Sequence, residues 1–297
     1  MQLPPLAPNR PARPGWPALC FSSLGCPGDS PSALCRRAAN HGISLVEIRT
    51  LQGKIDFPGF LTQNPDRARS LQAVLRRYQV SIRLLASAFS LTLQREEDIP
   101  ALLEVGTLAD ALGSPYVRIF GGGNEGEAMG KAEIRSAAGI YGKLQARWEA
   151  EGLAARLLVE THGGLVASKA IKAFDEATGG EALYLWDSHH TWRLGGDALE
   201  QTAALIGPRV RHIHCKDSIP AAERRSGYRY VLPGAGGFPF RELLRVMRHL
   251  DPATALSLEW EKQWHPELPP VDGALEAFLA PLSASRDPCA GASSSAG

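Results

Sequence analysis

Missing from this 297-residue chain are most of the features that mark a specialised class. No apolar run is long enough to span a bilayer. The opening MQLPPLAPNRPARPGWP carries prolines where a secretory signal carries an apolar core. A cytoplasmic location without membrane attachment is therefore expected. Neither sign of charge prevails: 32 Lys and Arg stand against 31 Asp and Glu, a formal net charge of +1. That balance removes any electrostatic case for nucleic acid or an anionic membrane. The five cysteines, Cys20, Cys26, Cys35, Cys215 and Cys289, are odd in number, scattered, and without a CxxC pair. A disulfide framework and a zinc ribbon are excluded on that count, and each cysteine reads as a small apolar filler. Where an open dinucleotide-binding sheet places GxGxxG after its first strand, this chain has SSLGCPGDSPS.

What is present is an ordinary globular composition, 44% hydrophobic and 21% charged. Residues 1–16, rich in proline, and residues 283–297, SASRDPCAGASSSAG, read as disordered tails. Between them short β-rich runs alternate with longer helical patterns. The candidate strands are Ala18–Leu24, Leu45–Arg49, Ser81–Ala86, Tyr116–Phe120, Leu157–Glu160, Leu183–Trp186, Val210–His214 and Ala255–Trp260. The candidate helices are Ser32–Asn40, Arg67–Tyr78, Ile99–Leu112, Lys131–Glu151, Lys169–Ala177, Ala198–Ile206, Arg241–His249 and Val271–Leu279. Ser30-Pro31 has the capping residue and first-turn proline of a helix start. Gly113, Gly152 and Gly207 stand where helix C-termini are expected. Eight strands, each followed by a helix, predict a single (β/α)8 TIM barrel over residues 17–282, with an open sheet as the alternative.

Seven of the eight histidines fall from residue 162 onward, and five of them lie in three strand-end motifs. LLVETHGG ends the fifth strand with Glu160 and His162; YLWDSHHTW ends the sixth with Asp187, His189 and His190. VRHIHCKDS ends the seventh with His212, His214, Lys216 and Asp217, and SLEWEKQWHP follows the eighth with Glu259 and Glu261. Barrel strands deliver their C-termini to one mouth, so these side chains become neighbours. Acidic and imidazole groups at the ends of apolar strands are costly to bury without a cation or hydrogen bonds. Glu160, Asp187, Glu259 and one or two imidazoles would surround one divalent ion. This thiolate-free set suits Mn²⁺, Co²⁺, Mg²⁺ or Zn²⁺ alike. A single such Glu or His is more often a salt-bridge or core residue; four consecutive strands ending this way favour the metal site.

The ordered set VETH, Asp187-Ser-His-His190, HIHCKD and SLEWEKxWHP resembles the sugar phosphate isomerase/epimerase superfamily with its xylose isomerase-like barrel. VEIR at Val46–Arg49, VRIFGGG at Val117–Gly123 and YVLPGAGGFPF extend the likeness, which covers roughly Ala18 to Leu279. The resemblance implies four metal ligands, Glu160, Asp187, His214 and Glu259. It gives His190 a substrate or supporting role, although strand alternation alone prefers His189. Arg118 matches the family's fourth-strand arginine, and Lys216 its HxKD lysine; both are expected at the substrate. His162 is expected at the substrate as well, and His212 and Glu261 beside the ligands as supports. Glu47 either reaches the pocket or pairs with a mouth arginine. GGGN at Gly121–Asn124 and GAGG at Gly234–Gly237 are either tight turns or backbone cradles for an anion. Arg224, Arg225 and Arg229 read as a solvated loop or a phosphate grip, and Trp260 and Trp264 as pocket lining or packing.

The implied chemistry is isomerisation or epimerisation of a sugar or polyol. A metal ion polarises a carbonyl, Glu160 and Glu259 serve as base and acid, and an enediolate forms between them. A dehydratase or lyase on a keto-inositol shares that enediolate and needs one more acid. An abasic-site endonuclease would need histidines on the third and fourth strands and a basic groove, both missing here. A non-catalytic barrel is disfavoured by the full ligand set. Large barrels often associate, and a homo-oligomer is compatible with the sequence.

Overall fold

The computed structural model describes residues 17–125 and 127–284. The expected tail at 1–16 lies outside the described residues. So does most of the expected tail at 283–297; the boundary drawn at 282 falls inside the last helix, which runs to Ala284. Ten strands occur in chain order. β1 (Ala18–Ser22), β2 (Leu45–Ile48), β3 (Ser81–Ser90), β4 (Tyr116–Phe120), β5 (Arg156–Glu160), β6 (Tyr184–Asp187) and β7 (Val210–Cys215) come first. Then follow a hairpin of β8 (Asp217–Pro220) and β9 (Tyr228–Val231), and finally β10 (Ala255–Leu258). Eight of them close into a parallel barrel of order β1-β10-β7-β6-β5-β4-β3-β2. Closure is made by Ala18 beside Ala255 and Phe21 beside Leu258. This architecture is the (β/α)8 barrel that the alternation predicts, and the open sheet is ruled out.

The strands are short and almost wholly buried because barrel walls face side chains on one side and helices on the other. Every residue of β2, β6 and β10 is buried. Their polar residues concentrate at the C-terminal ends, where the wall opens. The helices are α1 (Pro31–Asn40), α2 (Phe57–Thr62), α3 (Pro65–Tyr78), α4 (Ile99–Leu112), α5 (Lys131–Ala150), α6 (Ser168–Ala177), α7 (Ser188–Arg193), α8 (Leu199–Ile206), α9 (Phe240–Met247) and α10 (Val271–Ala284). None is long and apolar enough to cross a membrane among the described residues. The Ser30 hydroxyl accepts the Ala33 N–H, and Pro31 opens α1 as expected. Gly113 ends α4 with φ of 72°, but Gly207 does not take the left-handed turn (φ −46°). A Cβ there would lie 2.9 Å from the Leu250 Cδ2 atom, a contact that a small shift of the leucine relieves. Periodicity alone does not predict α2, α7 or the hairpin, all short elements set by capping or tertiary contacts.

Outside the barrel, one part-buried cluster ties β6 to the helical layer. The Tyr184 hydroxyl donates to Asp175 Oδ1 at 3.0 Å. Arg209 reaches Asp175 Oδ2 at 2.8 Å and the Gly180 carbonyl at 2.7 Å. Removing one partner of a buried hydrogen bond costs more than removing both. Asp175→Ala is therefore expected to lower stability by about 1–3 kcal/mol in urea denaturation. Adding Tyr184→Phe to that variant should cost less than Tyr184→Phe costs the wild type; strictly additive losses would refute the coupling.

Candidate metal centre

Four strand ends bring the expected ligands together. Glu160 is the last residue of β5, Asp187 the last of β6, His214 the penultimate of β7, and Glu259 follows β10 directly. Asp187 and His214 are register partners across the β6–β7 pair. One ligand atom from each of the four lies within 4.8 Å of the others. His214 Nδ1 stands 3.4 Å from Glu160 Oε1 and 3.3 Å from Glu259 Oε2. Its Nε2 is 2.7 Å from Glu47 Oε2, which also takes His212 Nε2 at 3.1 Å. Glu47 thus meets neither expectation made for it. Fixed further by the Ser22 hydroxyl at 3.0 Å, it orients His214 from behind, in the way carboxylates orient metal-binding imidazoles.

The donor set fits a divalent cation on two observations. Asp187 Oδ2, Glu160 Oε2 and His214 Nδ1 are buried without an aligned hydrogen bond. Five buried carboxylates, Glu47, Glu160, Asp187, Glu259 and Glu261, face three buried cationic side chains, Arg49, Arg118 and Lys216. With His214 neutral, as coordination requires, the formal surplus is two negative charges, the charge a divalent ion brings, and buried charge without compensation is expensive. The neighbours already strain against one another. Burial pushes the Asp187 carboxyl up despite Lys216 beside it. Burial would depress His214, but Glu259, Glu47 and Glu160 lift it well above the usual imidazole range. Burial would raise Glu259, but His214 and Lys216 hold it well below the carboxylate range. Glu261, more weakly compensated, is pushed up by burial to about 7.

The remaining expected site residues surround this centre. Arg118 lies with Nε 3.1 Å from Glu160 Oε2 and its guanidinium 3.8 Å from the Phe120 ring centroid. Lys216 is buried among carboxylates, 2.9 Å from Asp187 and 2.8 Å from Glu261, and in contact with Glu259. His162 packs edge-on against His190, with ring centroids 4.9 Å apart, and both line the mouth. His190 Nδ1 is 3.0 Å from Asp187 Oδ2, whereas His189 Nε2 turns away to Ser218 Oγ at 2.8 Å. Strand alternation fails here because Asp187 caps α7, its Oδ1 accepting the His190 N–H at 2.9 Å. The chain is helical from Ser188 on.

The mouth is a cleft of about 990 Å³. Among the lining residues with no role expected from sequence are Arg49 after β2, and Tyr228 and Tyr230 on the hairpin. The YRYV alternation was the available signal for the tyrosines. Both glycine segments prove to be turns. Gly164 N–H donates to the Gly122 carbonyl, and Gly123 N–H to Thr92. The amides of Gly234, Gly236 and Phe238 all bind the Asp217 carboxylate at 2.9 Å, leaving none for an external anion. Arg224 is exposed at the rim and paired with Glu267 at 3.0 Å. Trp260 packs in the interior and donates to the Pro269 carbonyl, while Trp264 lines the cleft, 48% exposed.

Were an ion held by these four residues, Glu47 would reach it only through His214, so Glu47→Gln should leave four ligands but weaken divalent-ion binding by about 10–100-fold in calorimetric titration. Unchanged affinity would reduce Glu47 to a packing residue.

Over residues 35–280 the chain matches the family model described as a xylose isomerase-like TIM barrel. Comparison with curated proteins gives no match. Among solved structures it is similar to the probable 3-DHS dehydratase AsbF of Bacillus anthracis (TM-score 0.69, 14% identity, 88% of this chain and 98% of that one). It is also similar to the IOLI protein with a bound zinc atom (0.69, 17%, 90% and 98%). A third is the D-allulose 3-epimerase of Methylomonas sp. in complex with D-allulose (0.64, 14%, 92% and 98%). At these identities the likeness is one of fold.

Proposed function

We propose, from the premise that this chain belongs to the xylose isomerase-like TIM barrel family, that it is a divalent-metal-dependent isomerase or epimerase. Its substrate is a sugar or sugar-like carbonyl compound, and its reaction moves a proton at the carbon beside the carbonyl. The observation that carries this reading is the gathering of Glu160, Asp187, His214 and Glu259 within 4.8 Å, at the barrel end where this architecture performs chemistry. A divalent cation held by these four residues supplies Lewis acidity toward a carbonyl and its neighbouring hydroxyl.

The protein's own side chains account for the rest. Glu160 and Glu259 belong to strands separated by β6 and β7, so they approach a bound compound from two sides. Glu160 Oε2 sits against Arg118 Nε at 3.1 Å, and Oε1, held among the described residues only by His214 Nδ1 at 3.4 Å, is the oxygen to take or return a proton. Glu259 Oε2 is held by Lys216 and His214, which leaves Oε1 for the opposite transfer. His162, His190 and Trp264 line the cleft where hydroxyl groups and an apolar sugar face would rest.

The test is turnover of a panel of ketoses and aldoses by metal-loaded protein in D₂O, read by NMR. Deuterium entering beside the carbonyl, with mass otherwise conserved, is the expected result. One further observation favours the dehydratase alternative. Glu261, pushed up to about 7 and lining the cleft beside Glu259, is protonated often enough near neutrality to hand a proton to a departing hydroxyl. Loss of water from the product would select that alternative. Absence of both exchange and water loss across the panel, with metal bound, would count against proton-transfer chemistry on such compounds.

A further inference from the structure

The four metal-ligating side chains occupy one half of the barrel rim, on β5, β6, β7 and after β10, which are consecutive in the closed sheet. β2 stands directly across the barrel from β6, and the residue that follows β2 is Arg49. Its guanidinium lines the cleft although the residue is only 8% exposed. Most cations around the site are spoken for. Arg118 is engaged by Glu160, by the Ser87 carbonyl at 2.9 Å and by the Phe120 ring, and Lys216 by three carboxylates.

Arg49 is different. Nη1 donates to the Ile55 carbonyl at 3.0 Å, and no hydrogen bond among the described residues engages Nε or Nη2. The nearest carboxylate, Asp56, is 3.9 Å away, itself half-exposed and occupied in capping α2. Glu47, two residues earlier, is committed to Ser22, His212 and His214. Burial and the like charge of Arg118 push Arg49 down to about 10, the direction expected of a guanidinium short of counter-charge. A nearly buried planar donor facing an open cleft matches the geometry of a carboxylate or phosphate, which it can bind through two parallel hydrogen bonds.

We propose that Arg49 anchors an anionic group, carboxylate or phosphate, on the substrate, so that the natural compound is a sugar acid or a sugar phosphate and not a neutral sugar. The proposal rests on the reading of the cleft as the substrate site. A compound engaged at Glu160, Asp187, His214 and Glu259 extends across the mouth and meets Arg49 on the opposite wall.

The experiment is calorimetric binding to the full-length protein, metal-free and metal-loaded. The probes are two matched pairs: D-glucuronate against D-glucose, and D-fructose 6-phosphate against D-fructose. The wild type is expected to prefer the charged member of at least one pair by tenfold or more, and the preferred pair tells carboxylate from phosphate. Arg49→Gln is expected to bring that ratio near one, chiefly through lost affinity for the charged member. Absence of a tenfold preference in both pairs overturns the proposal, as does a preference that survives in a folded R49Q. Should R49Q fail to fold, Arg49→Lys takes its place and is expected to lose most of the preference, since an ammonium lacks the planar fork; a preference kept in full overturns the proposal. Because binding is read without turnover, failure of the proposed reaction leaves this result intact. Loss of the metal centre does too, since the metal-free titrations stand by themselves.

Discussion

Glu259→Gln and Glu160→Gln are each expected to lower turnover by about 10²–10⁴-fold while circular dichroism reports an intact fold, and each should also lose part of the metal-dependent gain in melting temperature because a ligand charge is removed. The amide keeps the shape and one acceptor oxygen but cannot take a proton. The two substitutions should not act alike in detail. Glu160 is paired with Arg118 at 3.1 Å, so its loss frees a buried guanidinium and should weaken substrate binding as well as turnover. Glu259 is shared by Lys216 and His214, and Lys216 retains Asp187 and Glu261 after its loss. Its variant should therefore lose kcat with the smaller change in KM. If one glutamate is base and the other acid, each variant fails preferentially in one direction of substrate conversion, measurable by starting from either epimer. Full activity in both variants, with metal bound, would remove the acid–base pair from the mechanism.

The barrel and the ligand set were legible for the same reason. Strand ends of a closed barrel share one mouth, so order along the chain suffices to predict that Glu160, Asp187, His214 and Glu259 meet, and they do within 4.8 Å. What escaped depends on interactions that periodicity does not carry. His190 rather than His189 faces the ligands because the Asp187 side chain caps a helix one residue later, overriding alternation. Glu47 was weighed as a pocket residue or an arginine partner. Its true partners, His212 and His214, lie more than 160 positions away and are revealed only by closure. The β8–β9 hairpin is hidden in a polar stretch, residues 217–231, with three arginines and a single glycine. The glycine turn that follows it is organised by one carboxylate, Asp217, collecting three distant amides. Arg49 went unassigned because a rim arginine and a cleft arginine look identical in sequence; burial separates it from Arg224, which is exposed and paired.

Removing divalent ions is expected to abolish turnover and to lower the melting temperature, and the two losses should be restored together by the same ion. The physical reason is the surplus of two buried negative charges around the centre. An ion present at 100 times its dissociation constant adds about 2.7 kcal/mol to folded-state stability, roughly 5–10 °C in a domain of this size. Asp187→Asn should erase most of that gain, because it removes one ligand and half of the charge surplus. A metal-dependent gain that persists undiminished in D187N would place the ion elsewhere. The dependence on pH has a definite sign. Burial raises the Asp187 carboxyl above its ordinary value, and only its ionised form coordinates a cation, so acidification through that raised value should weaken metal binding. Calorimetry in two buffers of different ionisation enthalpy should accordingly detect protons released on binding, from Asp187 and from His214, whose raised imidazole must also lose its proton to coordinate. Binding that released no proton and did not weaken on acidification would place the ion on other groups.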